Sequence, residues 1–108
     1  MRMMLKVSIP VETGNAAARL GELGSTIQKL VAAMNPEAAY FLELDGDRTG
    51  MIFFNMNDSS EIPAIAEPWF LAFNASLTFR PVMNAEDLGK AAPGIQRAVE
   101  TYGKTAGK

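Results

Sequence analysis

The sequence predicts an α+β domain in which strand, long helix, hairpin, helix and strand follow one another and a further helix closes the chain. Three observations carry that expectation. Residues 3–9 and 75–83 alternate apolar and polar side chains, the period of a half-buried strand. Residues 13–34 and 60–74 repeat apolar side chains every three or four positions, the period of a helix stripe. Between these pairs lies AAYFLELDGDRTGMIFFNMN, residues 38–57, which reads as two strands joined by a turn.

In chain order, the first strand sets Met3, Leu5, Val7 and Ile9 against Met4, Lys6 and Ser8, and Pro10 ends it. The first helix carries Ala16, Leu20, Leu23, Ile27, Leu30, Val31 and Met34 on one stripe. Thr13 or Asn15 is placed to cap it, and Asn35-Pro36 stops it, because the residue before proline is driven out of the helical region. Gly21 and Gly24 fall inside this helix and read as points of close packing. In the hairpin, Asp45 to Gly50 are turn formers. Asp45-Gly46 is the strongest cue, since tight hairpin turns need positive φ. An even loop puts Phe41 and Glu43 on the same face as Ile52, Phe54 and Met56, and this set is assigned to the uncovered face of the sheet.

Asp58 or a neighbouring serine caps the next helix, on which Ile62, Ile65, Ala66, Trp69, Phe70 and Phe73 share a stripe. Trp69 and Phe73 are expected in the core. Pro68 should bend or break this helix. The fourth strand ends near Pro81, at an edge or an end of the sheet. Asn84-Ala85-Glu86-Asp87 opens a helix with a cap and first-turn acids, Pro93-Gly94 breaks it, and residues 103–108 form a frayed tail. Right-handed crossovers fold such a βαββαβ chain into a four-stranded antiparallel sheet with helices on one face, the ferredoxin-like arrangement.

Composition bounds the chemistry. The 108 residues suit one domain, 1–108, with a single core. There is no cysteine and no histidine, so disulfides, thiolate nucleophiles, Ser-His dyads, ordinary zinc sites and imidazole-ligated haem are excluded; neither a metal nor a cofactor is expected. A net charge of −2 and a pI near 5.0 argue against nucleic acid and anionic membranes as partners. Arg2 and Lys6 interrupt the apolar N-terminus, which gives no signal-peptide core, and a cytoplasmic location is expected. The Asp45, Asp47 and Arg48 cluster reads as a solvated turn, because it lacks the later bidentate acid of a calcium loop.

The run EIPAIAEPWFLAFNASLTFRPVMNAEDLGKA resembles a small uncharacterised bacterial family within the dimeric α/β-barrel superfamily of ferredoxin-like domains. The residues that carry the likeness are Glu67-Pro68, Arg80-Pro81-Val82-Met83 and Glu86-Asp87-Leu88. The resemblance implies the fold and a homodimer formed through the sheets, and it brings no catalytic residues with it.

The uncovered sheet face is expected to hold large apolar residues among a few charges, and a monomer seldom leaves such a patch in water. Two such faces meeting would enclose a barrel cavity for a small organic ligand. Lys6, Glu43 and Arg80 are its polar candidates, with Ser8 and Thr78 as weaker hydrogen-bond partners. Lys6 or Arg80 would hold a carboxylate or enolate oxygen, and Glu43 would accept a proton if burial raised its pKa. The plainer alternative is that Lys6 and Arg80 pair with acids within or across a dimer. A non-catalytic interaction or regulatory module is the competing function. An RNA-binding sheet is disfavoured, because TGMIFFNM lacks the Gly-aromatic-Gly-Phe pattern.

Overall fold

A computed structural model of the chain describes residues 1–103. Strand β1 (Arg2–Ile9) lies inside an antiparallel sheet of order β2-β3-β1-β4, beside β3 (Asp47–Asn55), with β2 (Ala38–Leu44) and β4 (Ser76–Pro81) at the edges. This order is compatible with the ferredoxin-like arrangement, and the sheet is open rather than closed on itself. The alternation read in residues 3–9 is the cause of the layering. Met3, Leu5, Val7 and Ile9 are buried on one face, while Met4, Lys6 and Ser8 are half-buried on the other.

On the buried face, α3 (Ile62–Phe73) inserts Ala66, Trp69 and Phe73 against Leu5, Ile52 and Phe54. Helices α1 (Val11–Arg19) and α2 (Leu23–Ala33) flank it, and α2 adds Leu23, Ile27, Leu30 and Val31 at the margin of the core. The tilted rings of Trp69 and Phe73, with centroids 6.3 Å apart, fill its centre. The core roles expected of both residues hold, since each is only 2% exposed.

The single long helix expected over residues 13–34 is two helices. Gly21 takes φ +74°, and the N–H groups of Gly21 and Glu22 donate to the carbonyls of Ala18 and Ala17, which ends α1 in a Schellman turn. Leu20, assigned to the apolar stripe, is therefore turned out to solvent. Neither Thr13 nor Asn15 caps α1, which starts behind Pro10. Thr13 instead donates its hydroxyl to the carbonyls of Pro10 and Phe73, joining α1 to the end of α3.

Pro68, expected to bend or break its helix, and Pro93, expected to break one, both lie within continuous helical segments. Pro68 lies inside α3, where burial of Ala66, Trp69 and Phe73 outweighs a local penalty on the order of 3 kcal/mol. Pro93 lies inside α4 (Ala85–Ala98), which passes into a π turn at Val99–Gly103. The caps match expectation. Asp58 accepts from the Ser60 N–H at 3.1 Å while Glu61 accepts from the Asp58 N–H at 2.7 Å, ahead of the 3-10 turn Ser59–Glu61. Asn84 and Asp87 form the same reciprocal box at the start of α4. Of the tail expected at residues 103–108, Gly103 closes the π turn and 104–108 lie outside the described residues.

Helix α4 leaves the body. Arg2 ties its first turn to β1 through Asp87 at 3.0 Å, and the same guanidinium holds Glu37 at 2.6 Å, which raises the Arg2 pKa above its ordinary value. From Ala92 to Gly103 every residue is exposed, including Ile95, Val99 and Tyr102. The radius of gyration is consequently 18.5 Å, against about 13 Å for a compact chain of this length. No helix among the described residues is long and apolar enough to cross a membrane.

Candidate functional site

The turn of the hairpin sets the geometry of the site. Asp45 at φ 54° and Gly46 at φ 86° make a two-residue loop of the type favoured by twisted hairpins, and β3 starts at once with Asp47. Residues 47–50, expected in the turn, are strand instead. Glu43 consequently stands opposite Arg48, and Phe41 opposite Gly50.

Phe41, Glu43, Ile52 and Phe54 do share a face, as expected, but it is the helix face. The β1–β3 register decides this, because it pairs Leu5 with Ile52 and Met3 with Phe54 and so draws the whole set onto the core side. The uncovered face carries Tyr40, Leu42, Met51 and Phe53 from the hairpin, with Tyr40 and Phe53 packed edge to face at 6.5 Å.

The five candidate residues are thereby divided. Lys6, Ser8, Thr78 and Arg80 lie together on the uncovered face, with Lys6 opposite Thr78 and Arg80 opposite Met4 on the neighbouring strand. Neither cation makes an ion pair among the described residues, and Arg80 donates to its own neighbour's carbonyl, that of Phe79. Ser8 donates to Asp47 at 3.3 Å. Glu43 is on the opposite side of the sheet, exposed, with its carboxylate accepting the Gly46 N–H at 2.8 Å. The trio Lys6, Glu43 and Arg80 therefore forms no single site within one chain.

A well-formed concavity lies on the helix side. A cavity of about 760 Å³ opens between the β2–β3 hairpin and the α1–α2 pair, within the range of roughly 300–1,000 Å³ usual for small-molecule sites. Val7, Ile9 and Gly50 form its floor and Phe41 one flank, with Gly24, Ile27 and Gln28 of α2 facing them and Trp69 at its depth. Two glycines shape it. A Cβ at Gly50 would meet the Phe41 ring at 3.4 Å, an ordinary van der Waals contact, so the ring packs directly over this position. A side chain at Gly14 would meet the Arg48 guanidinium at 2.4 Å, so glycine gives Arg48 its place against α1.

Arg48 is the one arginine or lysine in that lining. It is half-buried, donates to the Asn15 side chain at 3.1 Å, and has no carboxylate within ion-pair distance among the described residues. The nearby acids are engaged elsewhere, Glu43 by the turn N–H and Asp47 by Ser8 across the sheet. Sequence reasoning placed Arg48 in a solvated turn. The signal that could have moved it was Asp45-Gly46, which by itself specifies a two-residue loop and sets Arg48 opposite Glu43.

No group of three or more acidic side chains able to hold a metal ion occurs among the described residues. Compared with models of protein families the chain matches none, and a search of curated proteins returns no match.

Proposed function

We propose that the protein binds a small organic molecule in the cavity between its hairpin and helices, and does so as a homodimer. The observation that carries the ligand reading is the cavity: largely apolar walls with a few polar groups, Arg48, Asn15, Gln28, Glu43, Asp47 and Thr49, among them. Gly24 offers the test. It lies on α2 at the cavity wall, and a side chain there meets nothing within 4 Å. Gly24→Phe should bring a ring to the cavity wall from a position where a Cβ meets no neighbour, with a gain of about 0.5 kcal/mol in helix propensity. Native mass spectrometry of the purified protein should show a small-molecule adduct that Gly24→Phe removes. An adduct retained at full occupancy in Gly24→Phe would overturn this location.

The homodimer reading, with the ferredoxin-like sheets facing each other as a barrel, is supported by two surfaces. Tyr40 is 64% and Leu42 41% exposed on the uncovered sheet face, and water-exposed apolar surface of that kind usually marks an interface. Helix α4 also extends from the body with Leu88, Ile95 and Val99 uncovered, a length of chain suited to reach a second copy. Sedimentation at micromolar concentration should give a dimer, and Tyr40→Glu with Leu42→Glu should convert it to monomer. A wild-type monomer would refute this association. The expected roles of Lys6, Arg80, Ser8 and Thr78 belong to that interface, where the two cations would meet acids or an anion of the assembled barrel.

A further inference from the structure

We infer that the cavity takes an amphipathic carboxylate, its charged end held by Arg48 and its apolar part lying between Phe41, Ile27 and Val7. The inference rests on the ligand-binding reading above and adds the chemical class. Its first support is the charge balance. A half-buried guanidinium is ordinarily paired, since removing a charge from water is costly unless an opposite charge and hydrogen bonds compensate. Arg48 has a neutral amide, Asn15, and among the described residues no acid within ion-pair distance, although Glu43 and Asp47 line the same cavity. Both acids beside it are engaged by other donors. A planar fork held in place by Asn15 and by the missing side chain of Gly14 is a preformed receptor for a carboxylate.

The second support is independent of charge. Trp69 is 2% exposed, and among the described residues its indole N–H has no acceptor. The side chain of Trp69 also lines the cavity. An aromatic wall that carries a spare donor, together with a cation in the same lining, suits a ligand that is apolar in the middle and carries acceptors at its ends. A neutral hydrocarbon would leave the Arg48 guanidinium unanswered.

Trp69 is the chain's one tryptophan, so its fluorescence reports directly on the cavity. The probes are 3-phenylpropanoate and its neutral counterpart 3-phenylpropanamide, titrated against wild type, Arg48→Met and Arg48→Lys. Wild type should bind the carboxylate with a saturable fluorescence change and the amide about ten-fold or more weakly. Arg48→Met should erase the difference, and Arg48→Lys should restore part of it. Circular dichroism melts confirm that each variant folds. If Arg48→Met does not, Gly14→Ala displaces the same guanidinium and replaces it in the comparison. Equal binding of both probes, unchanged in the Arg48 variants, would overturn the carboxylate inference while leaving the cavity as a ligand site. Binding of neither probe at millimolar concentration would overturn the carboxylate inference. The mass-spectrometric comparison of wild type and Gly24→Phe then decides the cavity separately.

Discussion

Gly14→Ala separates the placing of Arg48 from the stability of the fold. The added methyl would stand 2.4 Å from a guanidinium nitrogen, and the three nearest heavy atoms all belong to Arg48. The obstacle is thus the far end of a flexible side chain, and it can move. Gly14 is a helical residue of α1 without positive φ, so alanine gains about 1 kcal/mol of helix propensity there. Displacing Arg48 forfeits its bond to Asn15, worth about 0.5–1.5 kcal/mol net. The two contributions nearly cancel, and urea unfolding should place the variant within about 1 kcal/mol of wild type. Carboxylate affinity, in contrast, should fall about ten-fold as the fork leaves its position. A stability loss above about 2 kcal/mol would refute the reasoning, since it would mean that the guanidinium is locked and the helix itself must shift. Undiminished carboxylate binding would refute the other half.

Phe54→Ala should cost about 3–5 kcal/mol in denaturant unfolding, because Phe54 is 2% exposed in the core; a cost under about 1 kcal/mol would return it to the uncovered face. Gly46→Ala should destabilise by about 1 kcal/mol, since Gly46 sits at φ 86° with nothing crowding it, whereas Gly24→Ala should stabilise; thermal melts of the pair give the sign of each. The Asp58 carboxyl is held below the usual aspartate value, first by the Ser60 hydroxyl and then by the Ser60 N–H. A carboxyl whose folded pKa is depressed adds stability above its unfolded value, about pH 4, and loses it as pH falls through the folded value. Between pH 6 and 3 the melting temperature of wild type should therefore fall more steeply than that of Asp58→Asn, and parallel slopes would deny the cap its charge.

How much of this was legible in the sequence depended on whether the deciding contact was local. Met3, Leu5, Val7 and Ile9 announced their face because only that side of β1 is buried, and the caps at Asp58 and Asn84 are formed within three residues. The hairpin was different. Tyr40, Leu42, Met51 and Phe53 are as apolar as Phe41, Ile52 and Phe54, so alternation named two sets without saying which was inside. The pairing of Leu5 with Ile52, some forty-seven positions apart, makes that choice. That the helix does not break at Pro68 has the same cause: the proline's penalty is local, while the burial that holds α3 together comes from the sheet beneath it; no buried residue of α4 accounts for its continuity through Pro93. Of the site, Glu43 was assigned to a barrel cavity on the uncovered face, whereas it lines the cavity on the helix side, and Arg48 was passed over because four strand residues were read as turn.

The position of β2 at the rim of the sheet has its own consequence for handling the protein. Its outer edge offers unpaired backbone donors and acceptors, and its sequence, Ala-Ala-Tyr-Phe-Leu-Glu-Leu, carries one charge and no proline. Tyr40, Phe41 and Leu42 are exposed on both of its faces. Such a strand is a template for another strand of the same kind, and proteins usually guard it with lysines, bulges or a covering loop. Here Glu43 is the one guard, and its carboxylate is occupied by the turn. Concentrated solutions are expected to lose protein through edge-to-edge pairing at β2, and Leu42→Lys is the single change expected to keep it in solution.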